Sequence, residues 1–158
     1  MEIILLSKEN LHKVAEIAKE SFSGLKEQEH AKTWIECNFN AYPRTQYFIA
    51  KENNEVMGYI LWIEKGGFRK ESVWELEQIA VKEIHRGRGI ASKLIKESLQ
   101  HIQNHLQNRG SKLKLIEVTT STENQAQEIY RKNLNANIEA VITKMFRGDE
   151  VIMIARFF

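Results

Sequence analysis

The sequence predicts a mixed α/β fold, one splayed mixed sheet flanked by helices, in a single domain over residues 1–158. Three observations carry this. The stretch Trp74–Leu99, WELEQIAVKEIHRGRGIASKLIKESL, passes from an apolar segment with interleaved glutamates through a basic glycine turn into a long amphipathic helix. Around it the chain alternates strand-like and helix-like patterns in the order β-α-α-β-β-β-α-β-α-β-β. Finally, 158 residues with 42% apolar and 28% charged side chains suit one sizeable core.

The elements follow in order. Ile3–Leu6 read as a short strand, and Ser7 with Asn10 offers a weak helix start. The helix after it repeats Leu11, Val14, Ala15, Ala18 and Phe22 at spacings of three and four, and Gly24 ends it. A second helix, Glu27–Asn40, turns Ala31, Trp34, Ile35 and Phe39 inward, and Pro43 closes it. Gln46–Lys51 and Val56–Ile63 form a hairpin about Asn53-Asn54, residues that tolerate positive φ. A looser link through Gly66-Gly67, residues 64–72, leads to a strand at Val73–Lys82. The long helix runs from Arg88 to Asn108, stopped by Gly110, with Ile90, Leu94, Ile95, Leu99, Ile102 and Leu106 on one face. Lys114–Thr120 is a strand covered on both sides, and Glu123–Asn133 a helix capped by Thr122 and Gln125. Ile138–Phe146 and Glu150–Phe157 close the chain as two strands about an Arg147–Asp149 turn.

Composition excludes several function classes. A net charge of +2 with no basic stripe argues against nucleic acid. The longest apolar run, Val56–Ile63, is a buried strand and too short for a membrane span. MEIILLSKE does not read as a secretory leader, and a single cysteine suits a reducing compartment, so the chain is expected in the cytoplasm. Cys37 reads as an inert small hydrophobe. His101 and His105 stand four apart, but no acidic or cysteine partner completes a metal motif, so no metal is expected. His85 reads as a solvent-facing or phosphate-side residue.

Chemistry concentrates in the glycine turn. A strand feeding such a turn into a helix N-terminus gathers backbone N–H groups into a concavity that suits phosphate oxygens. Arg86 and Arg88 add positive charge. No G-K-[S/T] follows, and three glycines are not in register, so neither a Walker loop nor a dinucleotide fingerprint fits. The segment R-G-R-G-I-A, Arg86–Ala91, resembles the acyl-CoA signature Q/R-x-x-G-x-G/A of the GNAT (Gcn5-related N-acetyltransferase) superfamily. LEQIAV before it looks like that family's central strand, and the element order over the whole chain is similar to the family's.

The resemblance implies a fold whose fourth and fifth strands part to admit the pantetheine arm of acetyl-CoA, used as cosubstrate. It implies backbone contacts to that arm from Ile79, Ala80 and Val81, and pyrophosphate contacts from Arg86, Gly87, Arg88, Gly89, Ile90 and Ala91. Glu75 and Glu77 alternate along one strand and so share a face. In a partly closed cleft one of them can have its pKa raised enough to act as a base. Glu77 ranks first, because it falls where many small-amine acetyltransferases carry theirs. Tyr130, with Ala126 four before it, matches the family's A-x-x-x-Y and would protonate the departing thiolate. Two departures stand out. The family's asparagine position holds Glu123, with Asn124 one place late as the cofactor-contact candidate, and the Gly-Phe that usually follows the tyrosine is missing from YRKNLNANIEA.

The resemblance implies an N-acetyltransferase working by direct attack of a primary amine in a ternary complex. The acceptor class stays open: a small amine, polyamine or amino-acid-like metabolite is favoured, with a protein N-terminus or lysine as the alternative. A non-catalytic acyl-CoA-binding sensor is the rival from another class. Glu64, Glu71, Glu75 and Glu77 lean toward a cationic acceptor, and Tyr42 and Arg44 are candidates to touch it. The apolar tail VIMIARFF reads as an exposed edge strand and predicts a homodimer.

Overall fold

A computed structural model describes residues Met1–Phe158. We label its elements β1 (Glu2–Leu5), α1 (Leu11–Ser21), α2 (Gln28–Asn40), β2 (Thr45–Glu52), β3 (Glu55–Lys65), β4 (Glu71–Val81), α3 (Ile90–Asn108), β5 (Lys112–Ser121), α4 (Gln127–Leu134), β6 (Asn137–Ile142) and β7 (Glu150–Arg156). The strands form one mixed sheet in the order β1-β2-β3-β4-β5-β7-β6. The chain divides into two compact units, Met1–Trp62 with Gln78–Ser98 and Ile63–Glu77 with Leu99–Phe158.

In the first unit β1 pairs antiparallel with β2, from Glu2↔Lys51 to Leu5↔Phe48. Asn53 and Asn54 turn β2 into β3 with φ of 48° and 66°, the left-handed geometry a tight hairpin needs. Gly58 lets two strands approach: a Cβ there would lie 2.7 Å from the Ala80 carbonyl oxygen, which backbone cannot vacate. Trp62 is fully buried and donates its indole N–H to Ser98 Oγ at 2.8 Å. That contact satisfies a group that burial would otherwise penalise by about 1–3 kcal/mol. Helix α1 buries Val14, Ala15, Ile17 and Ala18.

Local expectations fail in this unit where a helix ends early. Helix α1 stops at Ser21, so Phe22 is an extended, half-exposed cap residue rather than a core position. In α2 only Ala31 and Ile35 are buried; Trp34 and Cys37 are exposed and Phe39 is half-exposed. Around the helix Trp34 stands about 60° from Ala31 and Cys37 about 120°, both on the side away from Ile35, outside the buried stripe.

The second unit contains the parallel step. β4 and β5 pair from Glu71↔Lys112 to Glu75↔Glu117, after which β4 runs on to Val81 and β5 to Ser121. The ladder thus ends at a pair of glutamates. β7 inserts between β5 and β6, pairing antiparallel with both. This corrects the expectation for VIMIARFF: Val151, Met153, Ile154 and Ala155 are buried in an interior strand. The free edge is β6, where Ile138, Val141 and Ile142 are exposed.

Helix α4 also departs from its expected start. Thr122 and Gln125 make no capping box, and the helix begins at Gln127. The Asn124 side-chain oxygen instead accepts from the Ala126 N–H at 2.9 Å, while buried Gln127 donates to the carbonyls of Ser121 (3.0 Å) and Thr122 (2.9 Å). An Asx turn therefore supersedes the cap. At its other end Asn135 takes φ of 56°, the left-handed stop usually given to glycine, which explains how the chain turns without the family's Gly-Phe.

Candidate active site

The glycine turn, in the first unit, is built from backbone conformation. Gly87 and Gly89 have φ of 76° and 75°, a region costly for residues with a Cβ. The space a Cβ would occupy at either is open, with no protein atom within 4 Å. Glycine is thus required for conformation, and the open space is available to a ligand. The 19-residue helix α3 begins immediately afterwards, and Lys93 N–H donates back to the Gly89 carbonyl at 3.1 Å. Unsatisfied N–H groups at such a helix start carry positive potential.

The two arginines are anchored differently. Arg86 Nε donates to the Val81 carbonyl at 3.1 Å, tying the turn to the end of β4. Arg88 reaches the hairpin: its Nη1 lies 3.0 Å from His85 Nδ1, and Nη2 lies 3.8 Å from Glu52. His85 Nε2 contacts Glu55 at 2.9 Å, and Lys82 approaches the same carboxylate at 3.3 Å. An arginine can only donate, so Nδ1 accepts and the proton sits on Nε2, facing Glu55. His85 is therefore a brace between Arg88 and Glu55, with its side chain mostly covered, rather than a solvent-facing residue. Hydrogen bonds from His85 and then Lys82 hold the Glu55 carboxyl below its usual range.

The carboxylates gather in the second unit. Alternation along β4 buries Ser72, Trp74 and Leu76 and leaves Val73, Glu75 and Glu77 half-buried on the opposite face. Glu75 and Glu77 therefore share a face, as their spacing predicts. Two residues the sequence reading missed join them. Lys65, at the end of β3, places Nζ 3.2 Å from Glu75 Oε2 and 3.0 Å from Glu117 Oε2. Burial pulls this ammonium down, but the hydrogen bond to Glu117 and the Glu75 charge outweigh it and hold it above the ordinary lysine value. Glu77 has no ion-pair partner. Burial, then the neighbouring Glu75 charge, pushes its carboxyl above the usual glutamate value, against a weaker pull from Lys65.

Two glutamates expected to attract a cation are neutralised by their own partners. Glu64 is buried, gripped by Arg109 and by the Ser72 hydroxyl at 2.6 Å. Glu71 is exposed and paired with Lys112 and Lys114. Neither is available to a ligand; Glu117 takes their place.

Tyr130, on α4, is 5% exposed, and burial pushes its phenol up to about 12. It stays protonated at neutral pH, the state an acid requires. Asn124 donates to Thr120 Oγ1 at 2.8 Å and accepts from Ala126, leaving one N–H and one lone pair for a ligand. Ile79, Ala80 and Val81 follow on β4 in the first unit, with Ala80 buried. Tyr42 is 55% exposed and lines an apolar pocket of about 380 Å³ with Leu5, Leu6, Phe39 and Tyr47. Arg44 is exposed beside it in sequence. No group of three or more His, Cys, Asp or Glu side chains is placed to hold a metal ion. No helix is long and apolar enough to cross a membrane.

Comparison with known proteins bears on the family and the fold. The family model described as acetyltransferase (GNAT) family matches residues 11–135. No curated protein matches the sequence. Similar solved structures include an aminoglycoside 6'-N-acetyltransferase complexed with coenzyme A, at 16% identity, TM-score 0.77, and coverage of 99% of this chain and 97% of that one. A spermidine N-acetyltransferase from Vibrio cholerae gives 15% identity, TM-score 0.74, and coverage of 99% and 95%. An aminoglycoside 6'-acetyltransferase type Ii gives 20% identity, TM-score 0.73, and coverage of 99% and 97%. At these identities the likeness is one of fold.

Proposed function

Because the chain belongs to the GNAT acetyltransferase family, we propose that it transfers the acetyl group of acetyl-CoA to a primary amine by direct attack. The observation that carries this reading is Glu77: a half-buried carboxylate with no counter-ion and a raised pKa, on the face it shares with Glu75. A carboxylate in that state is a better proton acceptor than a solvated one.

The residues present fit the cosubstrate. Glycines with positive φ, open space where their side chains would be, and a long helix starting behind them suit a pyrophosphate, with Arg86 and Arg88 beside it. The carbonyls and N–H groups of Ile79–Val81 suit the amides of the pantetheine, with Asn124 as a further polar contact. Acetyl-CoA supplies the acyl group as a thioester.

The chain's residues then manage protons. Glu77 takes the proton of the acceptor's ammonium, freeing the nitrogen lone pair. A C–N bond forms to the acetyl carbon, the C–S bond breaks, the Tyr130 phenol gives its proton to the sulfur, and the second proton lost by the nitrogen as it becomes an amide restores the phenol. Glu75 and Glu117 keep the surroundings negative and favour a cationic acceptor, such as a small amine, polyamine or amino-acid-like metabolite. We further propose a homodimer. A screen of amines with acetyl-CoA, read as thiol release, tests the function: acetylation of at least one cationic amine supports it. Tight CoA binding with no transfer to any amine would instead make the chain a sensor.

A further inference from the structure

Lys65 is the one cation in the carboxylate cluster, and its position is specific. β4 and β5 pair in register as far as Glu75↔Glu117, so two like charges face each other at the final rung. Such a pair directly across two strands is destabilising unless a cation lies between. Lys65 supplies that cation from β3, at 3.2 Å from one carboxylate and 3.0 Å from the other. Glu77, next on the same face of β4, is left outside the bridge.

Resting on the reading of Glu77 as the base, we infer that Lys65 is a positioning residue: its ammonium engages Glu75 and Glu117 at the end of the β4–β5 ladder and leaves Glu77 as the one carboxylate without a counter-ion. This separates two glutamates that the sequence presents as equivalents. Glu75 is committed to an ion pair with Lys65. Glu77 holds no ammonium and shares a hydrogen bond with Glu75. Lys65 also limits how far the negative neighbours raise Glu77. The charged groups facing Glu77 are Glu75 on its own strand and Lys65 from β3, with Glu117 on β5 reached through Lys65.

The inference makes two predictions of opposite sign. Lys65→Met removes the cation and leaves three carboxylates together, so Glu77 should titrate at higher pH. Glu117→Gln releases one arm of Lys65 toward β4, so Glu77 should titrate at lower pH. Lys65→Arg keeps the charge and should leave Glu77 near its wild-type behaviour. The measurement is carboxyl ¹³C NMR against pH on the intact protein, with the Glu77 signal assigned by its loss in Glu77→Gln. In the active enzyme, kcat/KM of Lys65→Met should fall roughly tenfold more at pH 6 than at pH 9, the size of effect a neighbouring counter-ion has on a carboxyl. A merely structural role would lower activity equally at both. The titration needs no turnover, so an inactive wild type would refute the proposed function while leaving this inference decided by NMR. An unmoved Glu77 midpoint in folded Lys65→Met, or shifts of the same sign in Lys65→Met and Glu117→Gln, would overturn it.

Discussion

Arg109 holds Glu64 with both arms of its guanidinium, Nη1 to Oε2 at 2.9 Å and Nη2 to Oε1 at 2.5 Å. The pair joins the region after α3 to the end of β3. The Ser72 hydroxyl completes the carboxylate's bonds, and Trp74 donates to that same hydroxyl at 2.9 Å. Burial works against the Glu64 charge, yet the Arg109 and Ser72 bonds hold its carboxyl below the usual range.

That direction fixes a pH dependence for stability. A carboxyl lowered in the folded state contributes stability that is fully present above its unfolded value and is lost as pH falls through the folded one. Glu64→Gln should cost about 2–3 kcal/mol at pH 7, the range for losing a charge-assisted bond to a largely buried partner. Urea unfolding should show the gap between wild type and variant shrinking below about pH 4. A gap that is constant down to pH 3 would mean the pair contributes nothing through charge.

The phosphate turn gives a binding prediction. Gly89→Val forces a β-branched residue to φ near 75° and puts its side chain into open space on the ligand side. CoA affinity measured by calorimetry should fall by 10²-fold or more, with thermal stability reduced only modestly. Unchanged affinity in the folded variant would remove the turn from the cofactor site.

Tyr130→Phe deletes the phenol whose pKa of about 12 keeps it protonated. Turnover should fall by about a hundredfold, the lower end of the range for an acid catalyst. Raising pH should give little rescue, because the lost function is proton donation to sulfur. A strong rescue at high pH would assign Tyr130 to the acceptor's side of the reaction.

Assembly is tested at β6. Its exposed Ile138, Val141 and Ile142 lie on the sheet's free edge strand, beside exposed Met145 and Phe146. Light scattering at tens of micromolar should give a dimer mass for the wild type and a monomer for Val141→Lys with Ile142→Lys. A monomeric wild type would rule out the homodimer.

What the sequence made legible was what depends on near neighbours. Asn53-Asn54 and Gly87/Gly89 announce positive φ because few other residues adopt it cheaply, and period-2 alternation places Glu75 and Glu77 on one face. Lys65 and Glu117 were missed because their partnership depends on which strands are adjacent and in what register. No local pattern encodes that; the available hints were Glu117 within an apolar strand run and Lys65 at the end of another strand. Strand order likewise decided that β7 is interior and β6 the edge. The start of α4 was misjudged by a competition between two local hydrogen-bond schemes, which Asn124 and Gln127 won over Thr122 and Gln125.

The central claim is that Glu77 relays the acceptor's proton, and the pH dependence of Glu77→Gln tests it most directly. Glutamine keeps the shape and cannot take a proton. With one good amine acceptor, kcat should fall about 10²-fold or more near neutral pH, with CoA affinity nearly intact. The deficit should narrow as pH rises, since more acceptor then arrives already deprotonated. Glu75→Gln, which removes one arm of the Lys65 bridge, should lose less and show no such rescue. If Glu75→Gln shows the larger, pH-rescued loss, or if Glu77→Gln changes turnover by no more than a few-fold at any pH, the assignment is contradicted.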